Sequence, residues 1–140
     1  MSQHLLVAVD GSELCKKAMR RAAYLAACDP DTKVTLVHAV APVSAYVYGA
    51  YNPQLVDDVK SLGEELLQEM KAYAESIGLN VETVLLYGHA AWKITDYAKE
   101  NGVDLLLIGS RGLSGMKELF LGSVSHGVVQ ASAVPVLIEK

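Results

Sequence analysis

Short β-rich apolar runs alternate with longer helical patterns along the whole chain, and this alternation limits the fold more than any other feature of the sequence. Residues 5–9, Leu-Leu-Val-Ala-Val, are apolar on both faces, as a buried parallel strand must be. Asp10-Gly11-Ser12 breaks the run, and Ser12 is placed to cap a helix over 13–27 with Leu14, Ala18, Ala22 and Leu25 as its apolar stripe. A second strand is expected over 33–40. The stretch after it, with Pro42, Tyr46, Tyr48, Gly49, Tyr51 and Pro53, reads as an unusually long loop. Leu55, Val59, Leu62, Leu66, Met70, Tyr73 and Ile77 recur at spacings of three and four, which predicts a long amphipathic helix over 54–77 ended by Gly78. A strand over 81–87, a helix over 91–101 closed by Gly102, and a strand over 103–108 follow. Residues 109–122 form a glycine-rich loop, and a helix over 123–132 and a strand over 134–139 complete the pattern.

Nine elements in strict β-α alternation, with right-handed crossovers, give an α/β fold with a doubly wound parallel sheet. Such sheets bind small ligands outside the carboxyl ends of the strands, where the strand order reverses. The chain has 140 residues, the size of one domain spanning 1–140, and neither an internal repeat nor a low-complexity tract divides it. With 51% hydrophobic and 20% charged residues it is neither disordered nor a disulfide scaffold. Its mean hydropathy of +0.24 raises the question of a membrane, but no apolar run approaches the ~18 residues of a spanning helix, so the reading is a protein with no membrane span. The net charge of −4 has the wrong sign for holding nucleic acid through its phosphates. The first residues lack the basic segment of a signal peptide. Cys15 and Cys28, thirteen positions apart in one expected helix, would lie about 20 Å from each other, too far for a disulfide. Reduced thiols and a cytoplasmic location are the natural reading.

The chemistry concentrates in the segment from Gly109 to Ser123. Four glycines there (Gly109, Gly112, Gly115 and Gly122) let a ligand approach the backbone, the following helix start offers unpaired N–H groups, and Ser123 adds a hydroxyl. Arg111 and Lys117 add positive charge. Neither G-x-x-x-x-G-K-[ST] nor G-x-G-x-x-G occurs, so the chain is neither a P-loop NTPase nor an ordinary dinucleotide-binding dehydrogenase. In a 3-2-1-4-5 strand order the ends of the first and fourth strands flank the switch point, and the Asp10 carboxylate would face the glycine loop, placed for ribose hydroxyls. An Asx-turn or cap at the first helix is an equally good role for Asp10. Gly122-Ser123-Val124-Ser125-His126-Gly127 only approximates a nucleophile elbow, and no strand leads into it. His4, His38, His89 and His126 show no metal-ligand spacing. His38 reads as a satisfied core histidine, while His89 and His126 stand near element ends where a ligand would be in reach.

The run G-x2-G-x9-G-[ST], here Gly109, Gly112, Gly122 and Ser123, resembles the ATP-binding signature of the universal stress protein family. The likeness extends from residues 5–12 through Val37-His38-Ala39 and residues 104–109 to Pro135-Val136-Leu137-Ile138. The resemblance implies a Rossmann-like, adenine nucleotide alpha hydrolase-like sheet of five strands in the order 3-2-1-4-5 with helices on both faces. It implies homodimers and bound ATP, commonly with Mg²⁺ or Mn²⁺ on the phosphates. Carried over by position, Asp10 would hold the ribose and the backbone of Ala39 would meet the adenine, where the family often has Val. Gly109, Arg111, Gly112, Gly122, Ser123, Val124 and Ser125 would line the ribose and phosphates. The function implied is a cytoplasmic nucleotide-dependent stress sensor or signalling module with a protein partner that the sequence does not name. The alternatives are a slow ATPase or nucleotidyl-transfer enzyme of related fold, or an adaptor with a structural nucleotide. The strand over 134–139 would lie at the sheet edge, with Val134, Val136 and Ile138 on one face and Leu137 on the other, and would pair with its copy in a two-fold dimer.

Overall fold

The structure, a computed structural model, describes residues 2–41, 46–47, 50–112 and 121–140. Its main sheet is built from β1 (His4–Ala8), β2 (Lys33–Val40), β5 (Glu82–Tyr87), β6 (Leu105–Gly109) and β7 (Val136–Glu139). Every pairing is parallel and the order is β5-β2-β1-β6-β7, the expected 3-2-1-4-5. Two short strands, β3 (Tyr46–Val47) and β4 (Ala50–Tyr51), pair antiparallel within the stretch expected to be loop. Period-2 patterning cannot announce strands of two residues. Tyr48 and Gly49 between them lie outside the described residues, as do Pro42, Lys117 and Gly115.

Helices α1 (Glu13–Ala26) and α2 (Pro53–Ser76) cover one face, and α3 (Ala90–Glu100) and α4 (Ser123–Ala131) cover the other. The alternation of side chains along each strand feeds both layers. Leu5, Val7, Val9, Val34 and Leu36 pack with Ala18, Met19 and Ala22 of α1 and with Leu67, Met70 and Ala74 of α2. Leu6, Ala8, Val37, Leu106 and Ile108 pack with Ala91, Ile94 and Ala98 of α3 and with Val128 of α4. Ser12 caps α1 by accepting from the N–H of Cys15 at 3.2 Å, as the sequence predicts. Asn52 caps α2, and Pro53 supplies the first helical φ without an N–H to satisfy. Gly78 and Gly102 end α2 and α3 in the left-handed region, at φ 78° and 63°.

Cys28 falls beyond the end of α1 rather than inside it, exposed, and Cys15 is buried; both thiols are free. Among the described residues no helix is long and apolar enough to cross a membrane.

Pro135 directly precedes β7, the edge strand beside β6. Its carbonyl accepts from the N–H of Leu106 at 2.9 Å, so its nitrogen side faces β6 and not the open edge. It is tolerated because it precedes the first residue of the strand, not because the edge spares a donor. Leu137 packs against the α1/α2 layer, and Val134, Val136 and Ile138 against the α3/α4 layer, the two faces the sequence assigns them. The end of β7 is tied to α1, where Arg21 grips Glu139 through two N–H groups at 3.2 and 3.3 Å and Lys17 donates to the carbonyl of Lys140 at 2.7 Å.

Candidate functional site

The carboxyl ends of β1, β2 and β6 meet the first turns of α1, α3 and α4 around a cleft of about 240 Å³. All nine residues singled out from the sequence line it: Asp10 and Ala39 at the ends of β1 and β2, Gly109, Arg111 and Gly112 after β6, and Gly122 to Ser125 at the start of α4. The chain reverses its winding direction between β1 and β6, and this opens the cleft there.

Ser110 anchors the loop base. Its N–H donates to the carbonyl of Glu139 at 2.8 Å, and its own carbonyl accepts from the Gly122 N–H at 2.7 Å and the Ser125 hydroxyl at 2.8 Å. The Gly122 carbonyl accepts the first helical bond, from His126 N–H at 2.9 Å. The N–H groups of Ser123, Val124 and Ser125 thus open α4 with no acceptor among the described residues, and no side chain caps the helix. Three orphan donors and the positive end of a helix dipole are an arrangement that favours an anion. The buried Ser125 hydroxyl spends its proton on carbonyls, so Ser125 offers an anion its backbone N–H and not its side chain.

Asp10 makes the Asx-turn and brings its second carboxylate oxygen to the glycine loop. Oδ1 accepts from the N–H of Ser12 at 2.9 Å in an Asx-turn, while Oδ2 lies against Gly112, where any Cβ would collide with it. A glycine at 112 therefore lets the carboxylate stand in the cleft. Gly109 has a different duty. A Cβ there would sit 2.8 Å from Cβ of Leu14 and 3.1 Å from its carbonyl carbon, so the glycine lets β6 pass close to α1.

The cleft also takes in Ser12, Cys15, His38, Ala90, Ile94 and Ile108, which the sequence reading did not assign to it. Ala90 and Ile94 stand one turn apart at the start of α3, a spacing that signals a shared face but not what the face meets. Burial pushes the Cys15 thiol above its ordinary range, more than the neighbouring backbone hydrogen bonds pull it down. It stays protonated at neutral pH and is a poor nucleophile there. His38 is only half satisfied, contrary to the core-histidine reading. Its Nδ1 donates to the carbonyl of Val9 at 2.8 Å, and its Nε2 has no partner among the described residues. His89 and His126 do not line the cleft; His89 lies against the ring of Trp92 with centroids 4.4 Å apart, and His126 is exposed on α4.

Residues 1–140 match the universal stress protein family. The chain belongs to that family. It is 39% identical to Universal stress protein YxiE of Bacillus subtilis (strain 168) over 149 aligned positions that cover 100% of both chains. Among solved structures, this universal stress protein is similar to the hypothetical protein MJ0577 (TM-score 0.84, 25% identity), covering 99% of this chain and 95% of that one. It is also similar to a universal stress protein in complex with cAMP (TM-score 0.75, 27% identity), covering 99% and 97%.

Proposed function

We propose that the chain is a cytoplasmic ATP-binding universal stress protein that acts as a nucleotide-dependent sensor or signalling module. The observation that carries this reading is the open first turn of α4, whose three orphan N–H groups face a cleft that also holds Asp10. The cAMP bound by a relative at 27% identity supports an adenine nucleotide as the ligand class. In this reading the N–H groups of Ser123, Val124 and Ser125 and the Arg111 side chain take the phosphates, Gly122 keeps their path clear, Gly112 makes room for the Asp10 carboxylate and Gly109 lets β6 bring the loop close to α1, Asp10 accepts from the ribose hydroxyls, and the backbone of Ala39 meets the adenine. Among the described residues no three His, Cys, Asp or Glu side chains group to hold a metal, so a Mg²⁺ or Mn²⁺ ion would ride on the nucleotide phosphates. Mass spectrometry of the small molecules released on denaturing the purified protein tests the ligand. An adenine nucleotide is expected; a protein that carries none and gains none from millimolar ATP would remove the reading.

The same proposal includes a homodimer through β7. The inward bonds of Pro135 and Glu139 to β6 leave Val136 and Ile138 to turn their N–H and carbonyl groups to the open edge. Two such edges related by a two-fold axis are self-complementary when antiparallel. The side chains of Val136 and Ile138 pack inward, so charge there would harm the core as well as the edge. Ile138→Pro is the cleaner test, because it removes an outward donor. The parent should sediment as a dimer at tens of micromolar and Ile138→Pro as a folded monomer; a monomeric parent refutes the interface.

A further inference from the structure

The described lining of the cleft divides by hydrogen-bonding sense. The α4 end presents donors, the N–H groups of Ser123, Val124 and Ser125. The β1–β2 end presents acceptors. One is Oδ2 of Asp10, since Oδ1 is engaged by Ser12. The second is His38. A backbone carbonyl can only accept, so the 2.8 Å contact to Val9 places the ring proton on Nδ1 and leaves the neutral ring a bare lone pair on Nε2. Thr32 Oγ1 is the one fully buried side-chain nitrogen or oxygen without a partner among the described residues, so the unpartnered Nε2 of His38 is not completely sealed in the core. His38 lines the cleft one residue before Ala39, and its ring is bonded to the residue before Asp10.

We infer that His38 is a specificity-determining residue whose Nε2 accepts a hydrogen bond from a donor on the base or sugar of the bound nucleotide, either the exocyclic amino group of adenine or a ribose hydroxyl. This rests on the nucleotide reading above. The Val9 carbonyl sets the tautomer, and the tautomer makes Nε2 an acceptor alone. A ligand with a carbonyl oxygen at that point would set lone pair against lone pair, so the site selects for a donor.

The test uses four ligands and one substitution. Binding of ATP, purine riboside triphosphate (no 6-amino group), 2′-deoxy-ATP and 3′-deoxy-ATP is measured by calorimetry for the parent and for His38→Asn. The asparagine amide nitrogen can take the place of Nδ1 and keep the bond to Val9, while nothing stands where Nε2 was. The parent should bind one of the three analogues roughly 3- to 10-fold more weakly than ATP because of this hydrogen bond, and that analogue identifies the donor. His38→Asn should lose a similar factor towards ATP and no longer distinguish ATP from that analogue. A merely structural histidine would leave the analogue ratios of parent and variant equal, which overturns the inference even though ATP binds. A parent that binds none of the four removes the nucleotide reading and the role of His38 with it. Should His38→Asn not fold, the ¹⁵N resonance of Nε2 in the parent decides: it should move when ATP is added, and an unmoved resonance in ATP-saturated protein overturns the inference.

Discussion

Millimolar Mg-ATP should stabilise nucleotide-free protein by about 4 kcal/mol if its dissociation constant is micromolar, and Gly122→Val should abolish that gain while leaving the fold in place. The separation of binding from folding follows from the surroundings of Gly122. The atoms nearest to a Cβ there are Cα of Arg111, the Ser110 carbonyl oxygen and Oγ of Ser125, each at the ordinary distance of 3.5 Å. Its φ of −64° is open to any L-residue. The valine methyls would add bulk in the cleft at the start of α4, beside the unaccepted N–H groups of Ser123, Val124 and Ser125, where an anion would need room. Thermal melts with and without Mg-ATP read both effects. A parent whose melt ignores Mg-ATP has no such site, and a variant shifted as far as the parent would place the phosphates elsewhere.

Gly109→Val should do the opposite and cost folding. The added Cβ would sit 2.8 Å from Cβ of Leu14 and 3.3 Å from the backbone nitrogen of Cys15, atoms on α1 that no side-chain rotation can move aside. Overpacking of this kind costs about 3 kcal/mol at its upper range, which for a domain of this size lowers the melting temperature by roughly 10 °C. Gly122→Ala, measured beside it by urea denaturation, should stay within about 0.5 kcal/mol of the parent. Equal midpoints for Gly109→Val and the parent would contradict the close approach of β6 to α1. Two glycines of one signature thus have separate duties, one towards the fold and one towards the ligand.

Much of the fold was legible because its signals are local. Strands apolar on both faces, helices with a single apolar stripe, the Ser12 cap and the glycines at 78 and 102 each depend on neighbours a few residues away. Periodicity alone could not give the strand order 3-2-1-4-5; it came from the resemblance, because the order depends on which distant strands meet. The glycine-rich run that ends at the start of α4 was legible for the same local reason, since glycines, a helix start and a hydroxyl follow one another in the chain.

What the tertiary structure alone decided is how residues far apart in sequence share the cleft and divide its chemistry. Asp10 could be a turn residue or a ligand residue, and only the approach of Gly112 shows that one carboxylate oxygen serves the turn while the other enters the cleft. Cys15, Ala90 and Ile94 carry no local mark of a site; they reach it because α1 and α3 begin where β1, β2 and β6 end. His38 looks like any polar residue in a buried strand until the Val9 carbonyl, 29 positions away, takes one ring nitrogen and leaves the other free. A hydrogen bond across that sequence distance exists only once the strands are paired, which is why a reading of the chain by neighbours could name the strand but not the lone pair.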